Sequence, residues 1–382
     1  MNPDRLKIVF LHRAIDPYTS ERIKYFIERD QMVYSIIFDL GENVILQNNN
    51  YNIIKLKRTI LDRIPFAKRF IHYFEIKKIL KKIKPNVMHV VSALNLIYLN
   101  YKSDFLKVIE NQGSDVICSP KRFKILIPFY RYLYGKVDGV VQDSQIAQEY
   151  GIKYGAPKDN FRNRIIEIGI DFNIFNKDVP KGIIRKNFNL GDRQIIFHSR
   201  GVTDPVYNID IVIKSVLKVK KYFPECILIL TSLKEQLSSE LQNFIRVNRL
   251  EKNILFAGYQ DRIKDLKYFY RDADVNISVP SSDSSPFSVY ESMACLTPNV
   301  VTNLPWLYTN FILGKHLIVC SVRNEGSLVD GINKILSCQH NLDLLSAYNI
   351  VYEKINLQIE NEKLDSFYRD NLRKKNTVEK QS

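Results

Sequence analysis

The sequence predicts an α/β protein made of two doubly wound halves, each a parallel sheet covered by helices on both faces. The chain has 382 residues, which is more than one hydrophobic core usually serves. Short β-branched runs alternate with stretches of helical periodicity, and this alternation is typical of parallel sheets. The same plan starts again after a polar junction near 175–182. We therefore expect one domain over 1–180 and a second over 181–355.

The strand candidates follow one another at similar spacing in both halves. In the first half they are the apolar runs at 6–12, 32–40, 87–93, 106–111 and 139–144. In the second half they lie at 194–201, 226–232, 253–259, 274–280, 299–303 and 316–322. Ligands of doubly wound folds bind at the carboxyl ends of the strands, so two such domains predict a site in the cleft between them. A final helix within 356–382 is expected to pack back towards the N-terminal domain and to fray from about Asn376.

The composition is that of a globular protein rather than a membrane-spanning one. Hydrophobic residues make up 45% of the chain and charged residues 25%, as in soluble domains. No window reaches the roughly 18 apolar residues that a spanning helix requires. The N-terminal stretch contains acids and lacks the small-residue cleavage site of a secretion signal. The five cysteines form no CxxC pair, which favours reduced thiols in the cytoplasm over disulfides or a zinc site.

One loop in the second half places two carboxylates around a helix start. The serine-rich stretch 281–287 follows a strand candidate, with Asp283 inside it and Glu291 just beyond it. Ser288 and Glu291 form an S-x-x-E pattern, which is typical of a helix N-terminus. Such a terminus offers free N–H groups and the positive end of the helix dipole to a diphosphate. Taken alone, however, such a stretch more often contains only a capping acid and a turn-forming aspartate, without further function.

The longer stretch around this loop has a family resemblance. Residues 273–301, "ADVNISVPSSDSSPFSVYESMACLTPNVV", resemble the donor-binding signature of the retaining GT-B glycosyltransferases of family four, the glycosyl transferases group 1. "FHSRG" (197–201), "NILFAGYQD" (253–261) and "IGIDFNIFNKD" (168–178) resemble further family segments. The resemblance implies the GT-B fold, in which two Rossmann-like domains face each other across a cleft. It also implies retaining sugar transfer from a nucleotide sugar, without a metal or a cofactor.

The resemblance implies a role for each matching residue. Arg200 would bind the donor diphosphate and Glu291 the ribose, while Asp283 would face the donor sugar, so that Asp283 and Glu291 are the predicted catalytic residues. The backbone around Gly258 and Tyr259 would recognise the base. The remaining donor contacts would come from the loop and the helix start, at Ser285, Pro286, Phe287, Ser288 and Val289. In this family the protein mainly positions the reactants and stabilises the leaving diphosphate.

Several positions depart from the family pattern. Tyr207 stands where the family usually has a lysine that contacts the diphosphate, and Gln112 stands where many members have a histidine. The N-terminal loop lacks the usual paired glycines, and Arg13 is a candidate to substitute for them as a cation. Asp115 could contact the acceptor or simply close a turn. Arg13, Gln112 and Asp115 are therefore the acceptor-side candidates.

The net charge of +15 is concentrated in one segment. Residues 55–84 contain eleven basic and two acidic residues, with apolar residues between the lysines. Such a helix can be a solvated face or a contact with an anionic membrane surface, and both readings stay open. Nucleic acid is not expected as a partner, because no nucleic-acid-binding module is found.

These observations predict a cytoplasmic retaining glycosyltransferase, with an optional peripheral membrane contact through 55–84. It would move a sugar from a nucleotide sugar to a glycan or lipid-linked acceptor in bacterial surface polysaccharide biosynthesis, such as that of capsule or lipopolysaccharide. One alternative is a catalytically weak or inactive GT-B protein that acts as a glycan- or membrane-binding partner. A sugar-nucleotide epimerase of similar architecture is the other. His89, in a buried-strand pattern, is expected to be a hydrogen-bonded core histidine.

Overall fold

The computed structural model describes residues 5–13, 17–38, 49–56, 65–117 and 127–381. Residues 57–64 of the basic segment 55–84 therefore lie outside the described residues. Within the described part of the chain, contacts divide the protein into two compact units. One contains residues 1–168 and 358–382, and the other contains residues 169–357.

The first unit is built on a parallel sheet of seven strands. In space their order is β3-β2-β1-β4-β5-β6-β7. The strands are β1 (Lys7–His12), β2 (Met32–Ile37), β3 (Tyr51–Lys55), β4 (Val87–Val91), β5 (Leu106–Asn111), β6 (Gly139–Gln142) and β7 (Asn163–Ile165). The central strands are buried along their whole length, which explains their near-continuous apolar runs. The two edge strands, β3 and β7, were not among the strand candidates.

The second unit is built on a parallel sheet of six strands. Its order is β10-β9-β8-β11-β12-β13. The strands are β8 (Ile195–His198), β9 (Ile227–Leu230), β10 (Ile254–Phe256), β11 (Val275–Ser278), β12 (Asn299–Thr302) and β13 (Ile318–Cys320). Each predicted run of the second half thus contains one strand, and the strands are shorter than the runs.

The helices fall between the strands. They are α1 (Pro17–Glu28), α2 (Pro65–Ile83), α3 (Ser114–Ile117), α4 (Ile127–Tyr134), α5 (Gln145–Lys153), α6 (Ile183–Asn187), α7 (Ile209–Val219), α8 (Ser239–Val247), α9 (Leu266–Asp272), α10 (Phe287–Ala294), α11 (Leu307–Asn310), α12 (Glu325–Leu336), α13 (Leu344–Lys354) and α14 (Leu357–Gln381). Among the helices that the structure describes, none combines the length and the apolar character needed for a membrane span.

Both sheets have the strand order of a doubly wound fold. In the second unit the chain runs outwards from β8 to β10, then returns beside β8 and runs the other way from β11 to β13. The order reverses between β8 and β11, and ligands of open α/β sheets bind outside the carboxyl ends of the strands at this switch point. The residues after His198 and after Ser278 therefore meet where the fold favours a ligand.

The C-terminal helix α14 packs within the first unit. The Tyr368 hydroxyl lies 2.6 Å from Nδ1 of His89, and its ring stacks on Phe26 at 5.5 Å between centroids. Lys375 pairs with Asp138 at 3.0 Å. The helix continues to Gln381, past the point where the sequence predicts fraying. These contacts fasten the end of the chain to the first sheet.

The boundary between the units lies earlier than the predicted position near 180. Residues 169–180 belong with the second unit, where Ile170 pairs with Asn356 and the ring of Phe175 contacts that of Tyr270. The polar composition of 175–182 suggested a linker, but Phe175 is fully buried. A buried aromatic residue anchors this segment to the unit that surrounds it.

Candidate functional site

The candidate site lies at the switch point of the second sheet. Strands β8 and β11 are hydrogen-bonded neighbours. Arg200 follows the carboxyl end of β8 by two residues, and the loop that follows β11 contains Asp283. The parallel sheet thus brings together two residues that are 83 positions apart in the chain.

Arg200 is the centre of the hydrogen bonds on this side of the site. Its Nη2 donates to Oδ2 of Asp283 at 2.6 Å, and its Nε donates to Oγ of Ser288 at 2.9 Å. Both charged side chains are mostly buried, which makes the ion pair stronger than a surface pair. Arg200, which the sequence predicts to bind the diphosphate, and Asp283, which it predicts to face the donor sugar, are therefore in direct contact.

The helix after the loop begins two residues earlier than the S-x-x-E pattern suggests, because that pattern would place Ser288 at the N-cap. Helix α10 starts at Phe287, with Pro286 at the N-cap and without a side-chain capping bond. The Ser288 hydroxyl accepts a hydrogen bond from Arg200 instead. The two members of the expected capping box, Ser288 and Glu291, are thus engaged by other side chains, and the interpretation of Glu291 as a capping acid is wrong.

Two backbone N–H groups in the first turn of α10 already donate to carbonyl groups of the preceding loop. The Val289 N–H donates to the Pro286 carbonyl at 2.9 Å, and the Phe287 N–H donates to the Ser285 carbonyl at 3.1 Å. The Val289 N–H thus has a partner within the turn, and its contact with a phosphate stays a prediction. Ser285 and Ser288 are both buried beside the turn.

Glu291 lies one turn into the helix and is held by two side chains. Its Oε1 accepts from Nε of Arg262 at 2.6 Å, and its Oε2 accepts from the Tyr270 hydroxyl at 2.9 Å. The same hydroxyl lies 3.0 Å from Oγ of Ser199, the residue before Arg200. This chain of hydrogen bonds links Glu291 to the Arg200 side of the site.

The sequence did not single out Arg262 or Tyr270. Arg262 is nearly buried, and its guanidinium lies 5.3 Å from the centroid of the Phe175 ring. Tyr270 lies on α9, where aromatic residues at helical spacing suggest core packing. Its ring is indeed buried, while its hydroxyl reaches Glu291. A buried glutamate requires a charged or hydrogen-bonding partner, and that requirement is the signal that could have prompted a search for both residues.

The predicted base-recognition segment follows β10. Gly258 has a φ of 73°, a conformation that favours glycine, and its N–H donates to the Ser232 carbonyl at 3.2 Å. Tyr259 is 82% exposed. The structure thus places a strained turn and an accessible aromatic ring in this segment, and base recognition there stays a prediction.

Tyr207 occupies the place of the usual lysine and lies beside Arg200. The Arg200 guanidinium carbon is 5.4 Å from the centroid of the Tyr207 ring, which is within cation–π range. The next residue, Asn208, accepts from Arg323 at 2.6 Å, and Arg323 also pairs with Asp210 at 3.1 Å. Tyr207 therefore contacts the candidate site through Arg200.

The acceptor-side candidates lie in the first unit. Asp115 is buried, with Oδ2 accepting from the Ala93 N–H at 2.6 Å and Oδ1 accepting from the Gln112 N–H at 3.0 Å. Burial raises the pKa of Asp115 to about 6 despite these bonds. The contacts favour the turn-closing role for Asp115. Arg13 is exposed, and its acceptor role, like that of Gln112, stays a prediction.

The remaining titratable group at the switch point is His198, at the end of β8. Its Nδ1 lies 3.2 Å from the Ile277 carbonyl. Burial, together with the nearby Arg200 charge, lowers the pKa of His198 to about 4, so the imidazole is neutral near pH 7. In the described part of the chain, no three His, Cys, Asp or Glu residues are grouped as metal ligands.

This arrangement suits an anionic ligand with a polyol attached. A mostly buried arginine and the start of a helix present positive potential, and a buried carboxylate lies one turn away. The arginine can hold phosphate oxygens, and the carboxylate can accept hydrogen bonds from hydroxyl groups. No other described side chain is needed for those two contacts.

Comparison with protein families agrees with this geometry. Residues 180–350 match the model described as Glycosyl transferases group 1, and residues 7–144 match the model described as Glycosyl transferase 4-like. The two models together cover most of both units. No curated protein sequence gave a match.

Solved structures of the same fold cover almost the whole chain. Sucrose-phosphate synthase from Thermosynechococcus elongatus is similar with a TM-score of 0.80 at 16% identity, over 96% of this chain and 98% of its own. HepE from Anabaena, in complex with UDP and glucose, is similar with a TM-score of 0.74 at 15% identity, over 95% and 99%. The lipopolysaccharide outer core galactosyltransferase WaaB gives 0.65 at 11% identity, over 95% and 100%.

These likenesses establish the GT-B fold, with its two parallel α/β sheets of seven and six strands. The sequence prediction of the fold is therefore confirmed. The family models add what a remote structural likeness alone does not give. The chain belongs to the group 1 glycosyltransferases, retaining enzymes that use a nucleotide-sugar donor.

Proposed function

We propose that this glycosyltransferase moves a sugar from a nucleoside-diphosphate sugar to a glycan or lipid-linked acceptor in bacterial surface polysaccharide biosynthesis. The assignment of a nucleotide-sugar donor rests on one observation: Arg200 contacts both Asp283 and Ser288 at the switch point of the second sheet. The proposed acceptor class is supported by one structural neighbour, which is named as a lipopolysaccharide outer core galactosyltransferase.

In the proposed complex Arg200 binds the donor diphosphate. A guanidinium forms charge-assisted hydrogen bonds with phosphate oxygens, and the start of α10 adds the positive end of its dipole. Asp283 now accepts the hydrogen bond that a phosphate oxygen would accept from Arg200. The donor therefore competes with Asp283 for the arginine, and the displaced carboxylate is left beside the donor sugar.

Glu291 binds the ribose in this proposal. Each carboxylate oxygen can accept two hydrogen bonds, so the bonds from Arg262 and Tyr270 leave capacity for two vicinal hydroxyls. Arg262 and Tyr270 fix the carboxylate before the donor arrives, which reduces the ordering cost of binding. A hydrogen bond to a charged group contributes about 1.5–3 kcal/mol, so the ribose contact is a major part of the affinity.

Sugar transfer with retention then follows from positioning. The leaving diphosphate takes up negative charge as the glycosidic bond breaks, and Arg200 and the helix dipole stabilise that charge where it develops. The acceptor hydroxyl attacks the face that the diphosphate leaves, and the diphosphate oxygen takes up its proton. The protein holds the two reactants in this geometry.

The proposed location is the cytoplasmic face of a membrane. Helix α2 carries the described part of the basic segment and presents Lys78, Lys81 and Lys82 to solvent. Basic residues near anionic lipid contribute about 1 kcal/mol each, which is enough for a reversible contact. A lipid-linked acceptor would be found at the same surface.

The donor assignment is tested by thermal stabilisation with nucleoside diphosphates. UDP, ADP, GDP and TDP are compared as probes, with UDP first because a structural neighbour was solved with it. Arg200→Gln should strongly reduce the stabilisation, whereas the exposed Arg246→Gln in the same unit should keep it. If no nucleoside diphosphate stabilises the wild-type protein, the donor assignment is wrong.

Turnover needs its own experiment, because a binding protein would pass the first one. Slow hydrolysis of one nucleotide sugar, followed by NMR of the released anomer, should show retention in the wild type and loss of activity in Asp283→Ala. Binding of the nucleoside diphosphate without hydrolysis or transfer of any nucleotide sugar would favour the alternative of a catalytically inactive partner. This test of turnover is needed because Tyr207 replaces the lysine that the family usually has at this position.

A further inference from the structure

A cavity lies in the first unit, whereas the donor-site residues belong to the second. It has a volume of about 620 Å³ and is formed where the end of α2, the segments before β4 and β5, and the helix α14 come together. Asn86 and Phe105, two of its lining residues, immediately precede β4 and β5. The cavity is thus at the amino ends of these strands. The acceptor-side candidates Gln112 and Asp115 follow the carboxyl end of β5.

The lining of this cavity is strongly basic. Lys77, Lys81, Lys84 and Lys102 line it together with one acid, Asp104. None of these four lysines forms an ion pair with a residue that the structure describes. The four side chains carry like charges around one cavity, and Lys81, Lys84 and Lys102 are exposed. An anionic ligand that reaches several of them would offset these charges.

The neighbouring lysine at 375 behaves differently. Lys375 pairs with Asp138 at 3.0 Å and donates to the Phe105 carbonyl at 2.8 Å. Lys375, which has a structural role beside the cavity, is therefore paired with an acid. Lys77 has only an aromatic neighbour, the Tyr101 ring, at 5.9 Å. The contrast points to a ligand for the cavity lysines rather than to a packing role.

The helix that leads to the cavity has exposed aromatic side chains on the same face. Phe70 is 66% exposed and Phe74 is 53% exposed, and their rings are in edge-to-face contact at 4.9 Å. Positions 70, 74, 77 and 81 are spaced by four, three and four residues, which places them along one side of α2. A small soluble phosphate compound would explain the lysines but not the exposed phenylalanines. A lipid surface explains both, because aromatic residues enter the apolar boundary while lysines reach the headgroups.

We propose that this cavity binds the phosphate-bearing headgroup of an anionic lipid, while Phe70 and Phe74 enter the edge of the bilayer. The inference rests on the membrane contact proposed above and names its ligand and its site. It is independent of the donor site, which lies in the other unit. Bound in this way, the first unit would be held with the amino ends of β4 and β5 towards the lipid.

The test measures binding of the full chain to vesicles of phosphatidylcholine with phosphatidic acid or phosphatidylserine, matched in zeta potential. A headgroup site should prefer the exposed phosphate of phosphatidic acid, whereas a diffuse basic surface would bind both alike. The triple variant Lys81→Gln, Lys84→Gln, Lys102→Gln should lose affinity by about fivefold per lysine, on the order of a hundredfold in all. The charge-matched control Lys24→Gln, Lys153→Gln, Lys158→Gln changes exposed lysines of the same unit outside the cavity.

Several outcomes would overturn the inference. Equal loss in the two triple variants would show that net charge alone matters and that the cavity is not a headgroup site. Binding to no anionic vesicle would remove the membrane contact as well. Stabilisation by inorganic pyrophosphate that needs the cavity lysines, without vesicle binding, would assign the cavity to a soluble phosphate compound. Phe70→Ser with Phe74→Ser should weaken vesicle binding without changing pyrophosphate stabilisation. UDP stabilisation, which reports the donor site, should be unchanged in all these variants.

Discussion

The two units each bury a glutamate in a network of hydrogen bonds, and the two networks differ in position. In the first unit Glu110 lies in β5, with His89 Nε2 at 2.8 Å and Arg22 at 3.8 Å. The Tyr368 hydroxyl bonds to the other nitrogen of His89 at 2.6 Å. Burial lowers the pKa of His89, so the imidazole is neutral near pH 7. The expected core role of His89 is confirmed. In the second unit Glu291 has an arginine and a tyrosine as partners.

The difference lies in what each network joins. The partners of Glu110 come from β4 and α1, and Tyr368 of α14 joins the network through His89, which ties the C-terminal helix to the sheet. The partners of Glu291 connect through Ser199 to Arg200, at the place where the strand order reverses. Burial and pairing alone therefore do not identify a functional carboxylate. Position at a switch point is the criterion that we propose instead, and the following predictions test it.

The largest effect is expected for Glu110→Gln on stability. Removing this carboxylate leaves the buried Arg22 without its charge partner, and breaking a buried pair from one side costs about 3–5 kcal/mol. Urea unfolding should show that loss, while UDP stabilisation remains. Glu149→Gln, an exposed change in the same unit, is the control and should shift stability by less than about 0.5 kcal/mol. If Glu110→Gln were as stable as the control, the structural assignment of this network would be wrong.

The same glutamate predicts a pH dependence. Burial acts to raise the pKa of Glu110, but the Arg22 charge and the His89 contacts outweigh it and lower the pKa to about 2. Because the folded-state pKa lies below the unfolded value, the stabilisation is complete above about pH 4.5 and is lost as the pH falls towards 2, by about 3 kcal/mol. Wild type and Glu110→Gln are compared by urea unfolding across this range. Their difference in stability should shrink with acid; a constant difference would contradict the assignment. Asp115, whose pKa is raised, affects both proteins alike.

Glu291→Gln is expected to weaken binding in addition to lowering stability, because it also leaves a buried arginine, Arg262, without its charge partner. Gln keeps the size of the side chain but loses the charge that the ribose hydroxyls and Arg262 require, so UDP affinity should fall by about 2 kcal/mol, roughly thirtyfold. Calorimetric titration well below the unfolding temperature separates this loss from any change in stability. Glu240→Gln, exposed in the same unit, is the control and should bind UDP like the wild type. Unchanged affinity in Glu291→Gln would make this network equivalent to the one around Glu110.

Asp283→Asn should separate binding from turnover. In the structure this carboxylate occupies Arg200, and the donor has to compete with it. Without the charge, UDP should bind more tightly by about 1 kcal/mol, roughly fivefold, while hydrolysis of the nucleotide sugar is lost. Titration and a turnover assay are run on the same preparation, with Asp330→Asn as the exposed control. Weaker binding together with lost turnover would mean that Asp283 holds the donor itself rather than competing with it.

The family resemblance placed Arg200 and Asp283 in one donor site, and the structure shows how the neighbouring parallel strands β8 and β11 bring them together. The sequence did not predict Arg262 and Tyr270, because their roles depend on long-range contacts with Glu291. Those contacts have no local signature: Arg262 lies in a polar turn, and Tyr270 fits the apolar face of α9. The S-x-x-E pattern indicated the helix start to within two residues, but Ser288 and Glu291 bond to other side chains instead of capping the helix.

The fold shows the same limit. The continuous apolar runs of the central strands were predictable, whereas β3 and β7 were missed. Both are short edge strands that contain polar residues and are only partly buried, and an edge strand is specified by one neighbour only. The boundary near 180 was inferred from polar composition, while the burial of Phe175 places the segment with the second unit. A polar composition indicates that a segment is exposed on average, but one buried aromatic residue such as Phe175 is enough to fix the segment to a core.

The smallest expected effect concerns Tyr207, which distinguishes this site from the family pattern. Its half-buried ring lies beside the Arg200 guanidinium at 5.4 Å and can hold the arginine towards the diphosphate. A cation–π contact of this kind contributes about 0.5–1 kcal/mol. Tyr207→Leu should therefore weaken UDP binding by about two- to fivefold. Tyr222→Leu, in an exposed position of the same unit, should leave it unchanged. In the background of Arg200→Gln the Tyr207 effect should disappear, because the ring acts through that cation. An effect of Tyr207→Leu that persisted without Arg200 would instead show a direct contact with the donor.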